Sequence, residues 1–204
     1  MPGRADATRR KADLRRLVRD RRAAAHLERT SAAAIAITQQ VLTLPETASA
    51  GMVAAYVAYG SEPPTELLLQ ELLARGTRVL LPVLLPDLDL DWAAYETTRM
   101  VAGLRQALEP AGPRLTPAAI IDVDLVVVPA LAVARDGARL GQGGGSYDRA
   151  LARNQGGLVV ALLWSGVELL DAGEVPTDEW DRPVHVVVTP DEVIRLRPAR
   201  PVPG

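Results

Sequence analysis

From Met52 onward, short apolar runs alternate with segments whose apolar positions recur every three or four residues, and that alternation predicts strands separated by helices. Met52–Ala58, Thr77–Val83, Asp124–Pro129, Leu158–Trp164 and Val184–Thr189 are near-continuous apolar runs, the pattern of strands buried on both faces. Pro64–Arg75 between the first two has the helical period, opened by Pro64 and closed at Gly76. Leu88–Tyr95 alternates apolar and polar residues like an edge strand, and the Pro/Gly-bearing stretch Glu109–Pro117 reads as a connecting loop. A long loop is expected over Ala130–Ser146, a helix over Tyr147–Arg153, and an acidic loop over Glu174–Pro183. Ahead of the first strand, Asp6–His26 places Leu14, Leu17, Val18, Ala24 and Ala25 among charges, as a surface helix does. Thr30 or Ser31 then caps a helix Ala32–Leu42, which Pro45 and Glu46 end.

Strands and helices in this order imply an α/β protein: an open α/β/α sandwich around a mostly parallel sheet. In such sheets ligands bind beyond the carboxyl ends of the strands, so the loops after Val57, Pro129 and Trp164 are where chemistry is expected. With 204 residues, of which 48% are hydrophobic, the chain suits a single domain, expected over residues 1–195 with a disordered tail over 196–204. Neither a signal peptide nor a membrane span is visible, because the start is polar and the apolar runs stop well short of a bilayer's thickness. A cytoplasmic protein with no membrane and no nucleic-acid partner is expected, the formal charge being −2. A monomer is the expected assembly.

Composition narrows the chemistry. There is no cysteine and there are only two histidines, His26 and His185, so thiolate nucleophiles and disulfides are excluded and any metal must be held by oxygen. The positive charge is uneven: Arg4, Arg9, Arg10, Lys11, Arg15, Arg16, Arg19, Arg21 and Arg22 crowd the first helix, and Lys11 is the one lysine of the chain. A lone lysine among arginines either reflects chance or marks a place for a compact point charge, such as a phosphate contact.

The segment running from Arg139 to Arg149, Arg-Leu-Gly-Gln-Gly-Gly-Gly-Ser-Tyr-Asp-Arg, joins a buried strand to a helix. Glycine at Gly141, Gly143, Gly144 and Gly145 costs roughly 0.4–1 kcal/mol per site relative to alanine, a large sacrifice in a marginally stable chain. Close approach of an anion to bare backbone N–H groups at a helix N-terminus would offset it. The spacing is neither a dinucleotide fingerprint nor a Walker A loop, since no Gly-Lys-Ser/Thr closes it. A flexible connector is the plain alternative.

The run Asp124-Leu-Val-Val-Val-Pro-Ala-Leu-Ala-Val133, followed by Asp136-Gly-Ala-Arg and the glycine segment, closely resembles the signature of 5-formyltetrahydrofolate cyclo-ligases, or methenyltetrahydrofolate synthetases. Lys11-Ala-Asp-Leu-Arg15 resembles that family's N-terminal Lys-x-x-Leu-Arg element, Ser61-Glu-Pro-Pro-Thr65 its folate loop, Glu109-Pro110 its mid-chain Glu-Pro, and Val175-Pro with Asp181 its late acidic loop. Gln142 stands where family members usually carry an aromatic or basic residue, Ser146-Tyr147 where a Tyr-Tyr pair is usual, Ala130 for a common glycine, and His185 where an acid is frequent.

The resemblance implies a three-layer α/β/α fold similar to sugar-phosphate isomerases and CoA transferases, and ATP-dependent, Mg²⁺-dependent closure of 5-formyltetrahydrofolate, including polyglutamylated forms, to 5,10-methenyltetrahydrofolate. In that reaction the N5-formyl oxygen takes the γ-phosphoryl group and N10 attacks the activated carbon, so positioning and electrostatics carry the catalysis. It further implies ATP held by Lys11, Ala12, Asp13, Leu14 and Arg15 with Arg139, Leu140, Gly141, Gln142, Gly143, Gly144, Gly145, Ser146 and Tyr147. Folate would meet Val57, Glu62, Glu109 and Tyr147, and the metal Asp148 and Asp181. Lys11, Arg15, Tyr147 and Arg149 are the expected catalytic residues. Arg9, Arg10, Arg16, Arg19 and Arg22 keep the reading of a solvated basic face. Two other readings remain open from the residues: a non-catalytic folate- or nucleotide-binding relative, and a small-molecule kinase using the same glycine loop.

Overall fold

The computed structural model describes residues 4–24, 31–96, 100–104, 108–164 and 168–196. Five helices are described: α1 Arg4–Ala24, α2 Ser31–Leu42, α3 Pro45–Ser49, α4 Glu66–Ala74 and α5 Ser146–Arg153. The strands of the main sheet are β1 Met52–Ala54, β2 Arg78–Leu84, β3 Leu90–Ala94, β6 Leu125–Pro129, β9 Leu158–Leu162, β11 Val186–Val188 and β12 Val193–Arg195. They lie in the order β12-β11-β9-β6-β1-β2-β3. The five central strands run parallel, with Val53 beside Val79 and Leu125, and Val127 beside Val160. Antiparallel β3 and β12 close the two edges.

Strand periodicity splits the core between the two faces. Val53, Val79, Leu81, Val127 and Val160 point to the layer of α2 and α4, against Ile37, Val41, Leu68, Leu69 and Leu72. Ala54, Leu80, Val126, Val128 and Ala161 point to the opposite layer, against Trp92, Ile120 and, on α5, Ala150 and Leu151. The sandwich expected from the pattern is therefore present. It also has a switch point: the crossover from β1 passes through α4 on one face, and the crossover from β6 through α5 on the other, although β1 and β6 are neighbours. A crevice opens where neighbouring strands send their chains to opposite faces.

Several local expectations give way. Ala130–Ser146 is not one loop: β7 Ala132–Ala134 and β8 Arg139–Leu140 form a hairpin, and β10 Leu169–Leu170 joins β7 to make a small second sheet. The turn is Asp136-Gly137, with Gly137 at φ 88° and the Asp136 carboxylate accepting from the Ala138 N–H at 3.1 Å. Glu109–Pro117 is not all loop either, because Leu108–Pro110 (β5) pairs antiparallel with Met100–Ala102 (β4), and a 3-10 turn at Pro117–Ile120 follows. Pro45 opens the short α3 instead of only ending α2. Val184–Thr189 is followed by one more strand, β12. Thr30, His26 and the tail beyond Leu196 lie outside the described residues.

Helix α1 does not join the sandwich. Its Val18 and Leu14 pack on the small sheet, against Leu131, Ala132, Ala138 and Leu140. That docking sets the helix beside the crevice.

Candidate functional site

A cavity of about 1310 Å³ opens beyond the carboxyl ends of β1 and β6. Pockets that hold one small ligand usually fall in the range of about 300–1,000 Å³, so this one has room for two. Its walls are α1, the loop after β1, the paired strands β4 and β5 with Leu104, the glycine loop and the acidic loop before β11.

Helical spacing of four puts Lys11, Arg15 and Arg19 on one stripe of α1, facing the cavity. The Lys11 ammonium donates to Asp181 at 2.6 Å and reaches Asp178 at 3.5 Å. Arg15 Nε donates to the Gly141 carbonyl at 2.9 Å, and Arg19 Nη2 to Gln142 Oε1 at 2.7 Å. The pKa of Arg15 is pushed down, first by burial and then by the like charge of Arg19. Ala12 and Asp13 fall on the opposite, exposed side, where Asp13 pairs with Arg16 at 3.1 Å, and Leu14 turns into the core. None of these three lines the cavity.

The glycine loop needs its glycines. Gly143 and Gly145 hold φ of 106° and 67°, which L side chains rarely adopt, and Gly145 leads directly into α5. A Cβ at Gly143 would stand 3.3 Å from Arg15 Cζ, and one at Gly141 2.8 Å from Arg139 Nη1. Arg139 is itself buried, donates to Asp148 at 2.9 Å and lies 5.9 Å from the ring centroid of Tyr147. Asp148 also accepts from the Arg182 N–H at 3.2 Å. Arg149 braces the loop by donating to the carbonyls of Leu88 and Gly144. Leu140, Gly144 and Ser146 line the same wall.

On the other side, Glu62 accepts from the Tyr59 N–H at 3.0 Å, and burial raises its pKa above the usual carboxylate value. Val57 lines the cavity beside it. Glu109 is buried and accepts from the Leu84 N–H at 3.0 Å. Gly103 has no room for a side chain, since a Cβ there would overlap the Glu109 carboxyl group. The hydroxyls of Tyr56 and Tyr147 are buried with no hydrogen-bond partner among the described residues, and burial pushes both phenols well above their usual pKa. Two unpaired buried donors lining one cavity call for a polar ligand.

The structure thus brings together the expected residues other than Ala12, Asp13 and Leu14, and adds others that the sequence pattern leaves on a solvated face or does not mark. Arg19 belongs to the site, and its four-residue step from Arg15 was the available signal. Arg22 is 3% exposed rather than solvated. It makes a two-pronged ion pair with Glu168 at 2.7 and 2.9 Å and donates to the carbonyls of Ala130 and Leu131 at 2.9 and 3.2 Å. Glu168 in turn accepts from the Trp164 N–H at 3.0 Å, and Trp164 Nε1 donates to the Ser61 carbonyl at 2.9 Å. This buried network ties together the loops after β1, β6 and β9. No sequence signal marks it.

The match to known proteins follows this geometry. The family model described as the 5-formyltetrahydrofolate cyclo-ligase family matches residues 7–190, from the cationic stripe of α1 to the end of β11. The chain belongs to the 5-formyltetrahydrofolate cyclo-ligase family. A cyclo-ligase of Mycolicibacterium smegmatis is 42% identical over 151 residues, covering 71% of this chain and 77% of the relative. One from Escherichia coli is 29% identical over 183 residues, covering 87% and 98%. The NMR structure of Aquifex aeolicus 5,10-methenyltetrahydrofolate synthetase superposes with a TM-score of 0.76 at 30% identity, covering 95% of this chain and 96% of that one. The fold is thus shared over 95% of the chain, and the family is one of enzymes that form bonds.

Proposed function

We propose that this protein converts 5-formyltetrahydrofolate to 5,10-methenyltetrahydrofolate at the expense of ATP, with Mg²⁺ as the metal. The observation that carries the reading is one cavity lined by two chemically distinct groups, the cations with the glycine loop, and Glu62 with Tyr56 and Tyr147. The first suits a triphosphate: Lys11 and Arg15 supply charge, and the loop from Gly141 to Gly145 brings bare backbone to within reach of an anion. The second suits a pterin ring, whose nitrogens and carbonyl would satisfy the phenols and the Glu62 carboxyl.

The donor set fits Mg²⁺, which commonly takes only one or two carboxylates and leaves its other positions to phosphate oxygens and water. Among the described residues there is no cluster of three acidic or histidine side chains that could hold a metal alone. Asp148 and Asp181 would hold it, each kept at the cavity by a cation, Arg139 and Lys11 respectively. ATP supplies the activation of the formyl oxygen when bound.

The protein's own part is positioning. Lys11 and Arg15 neutralise transferring charge, Arg149 holds the glycine loop to the Leu88 turn, and Glu62 fixes the ring. Tyr147, under Arg139, joins Glu62 on the folate side. Leu104 and Leu108, at the paired strands β4 and β5, give the folate's aryl group an apolar wall.

Incubation of purified protein with 5-formyltetrahydrofolate and Mg-ATP tests this, with the methenyl chromophore followed over time. Absorbance that grows only with both ATP and Mg²⁺ is the expected result. Binding without chromophore would favour a non-catalytic relative, and a stable phosphorylated product a kinase.

A further inference from the structure

Three cations descend one stripe of α1 beside the glycine loop, and the third of them, Arg19, is outside the Lys11–Arg15 element. Its guanidinium is fixed by the side-chain oxygen of Gln142 at 2.7 Å, a residue of the loop itself, and both residues line the cavity. Gln142 carries no charge, so this contact orients Arg19 without neutralising it. Arg15 likewise directs one donor to a neutral carbonyl, that of Gly141. Two guanidiniums on adjacent turns of one helix are thus docked, four residues apart, on successive residues of the same loop.

Like charges held this close repel each other. Among the described residues neither guanidinium has a carboxylate within ion-pair distance, whereas Lys11 has Asp181 and Arg22 has Glu168. An anion seated between them and the loop N–H groups relieves that repulsion and turns both forks into charge-assisted hydrogen bonds.

Resting on the ATP reading above, we propose that Arg19, held by Gln142, is a third phosphate-binding cation of the nucleotide site. The i, i+4, i+8 stripe runs for roughly 12 Å at 1.5 Å per residue, a length that spans a triphosphate chain. Lys11 sits beside Asp181, and Arg19 beside Gln142, whose side chain also reaches Glu62. The folate's own carboxylates are the competing anion.

The test is calorimetric titration of the full-length protein with Mg-ATP, paired with steady-state KM values for both substrates, in wild type, Arg19→Gln, Arg19→Lys and Gln142→Ala. Arg19→Gln is expected to weaken Mg-ATP about five- to tenfold, as loss of an exposed charge-assisted contact does, and to flatten the salt dependence of binding. The KM for 5-formyltetrahydrofolate stays within about twofold, and the melting temperature is unchanged. Arg19→Lys recovers part of the affinity, and Gln142→Ala weakens Mg-ATP by a smaller factor because it frees the guanidinium without removing its charge, while also taking the amide partner from Glu62. Unchanged Mg-ATP affinity in Arg19→Gln overturns the proposal. So does a loss confined to the folate KM, which would assign Arg19 to the folate carboxylates. Failure of the wild type to bind Mg-ATP at all would instead overturn the ATP reading on which it rests.

Discussion

Glu168 and Glu62 stand on neighbouring loops at the carboxyl end of the sheet, and the fold treats them oppositely. Glu168, 7% exposed, receives both prongs of Arg22 and the Trp164 N–H, so its charge is met on all sides. Glu62 receives the Tyr59 N–H, has the Arg22 charge and the Gln142 side-chain amide as weaker partners, and is still left by burial with a pKa above the normal range. The buried cation Arg22 is committed to the scaffold, and the second carboxyl stands at the cavity wall with no ion pair among the described residues. A half-satisfied acid beside two unpaired phenols marks the ligand side of the site. A fully satisfied one marks the frame that holds it.

The largest effect follows from breaking that frame. Removing one partner of a buried pair leaves the other charge uncompensated, at a cost of about 3–5 kcal/mol. Arg22→Ala or Glu168→Ala is expected to lose that much in urea denaturation, and to loosen the loops after β1, β6 and β9 together. Arg16→Ala, on the same helix but with a side chain 75% exposed, should stay within about 0.5 kcal/mol. Equal effects at Arg16 and Arg22 would mean that burial does not separate the two arginines.

That contrast also shows what the sequence carried. The main sheet was legible because Asp124–Pro129 and Leu158–Leu162 are apolar almost without interruption, and the glycine loop because four glycines so close together call for a reason. The β7–β8 hairpin was not, since Ala132–Ala134 is built mostly of alanine, which has no strand preference, and only Asp136-Gly137 hinted at a turn. Strands of three residues such as β4 and β5 are too short to show a period. In α1 the apolar marks are few, and Leu17 is exposed while Arg22 is buried, so position on the helix could not be read from residue type. Of the nine basic residues the sequence singled out Lys11 and Arg15, and the docking of Val18 on the small sheet shows that Arg19 faces the cavity with them and that Arg22 is buried.

The next effect separates glycines kept for the ligand from glycines kept for the backbone. Gly143 and Gly156 both have positive φ, 106° and 92°, so alanine at either should cost about 1–2 kcal/mol of backbone strain. At Gly156 a Cβ meets nothing within 4 Å, and turnover should stay within about twofold of wild type. At Gly143 it presses on Arg15, and kcat/KM should fall about tenfold or more, consistent with misplaced groups at a reacting centre. Equal activities in the two variants would remove the loop from the site.

A smaller change is expected from Lys11→Ala, which takes a point charge from the cavity and leaves the Asp181 carboxylate its bond from the Asp178 N–H and the more distant charge of Arg15. Nucleotide affinity should drop about tenfold by titration, and the melting temperature should stay near that of wild type, the pair being partly exposed. An unchanged affinity would discredit Lys11 as a nucleotide ligand.

The smallest effect on folding returns to Glu62. Its folded pKa lies above the ordinary carboxylate value of 4.5, so the folded state holds its proton more tightly than the unfolded chain does. Stability from this group is therefore fully present below pH 4.5 and is lost as pH rises through the folded pKa, the reverse of a salt-bridged acid. Replacing Glu62 by Gln keeps an acceptor for the Tyr59 N–H and removes the charge. At neutral pH this should raise the melting temperature, by about 2 °C, while folate binding weakens. Melts of both proteins across the pH range check the sign, with the two curves converging as the pH falls below the folded pKa. A drop in melting temperature at neutral pH would show that Glu62 is as well satisfied as Glu168, and the distinction between ligand acid and frame acid would then fail at its central residue.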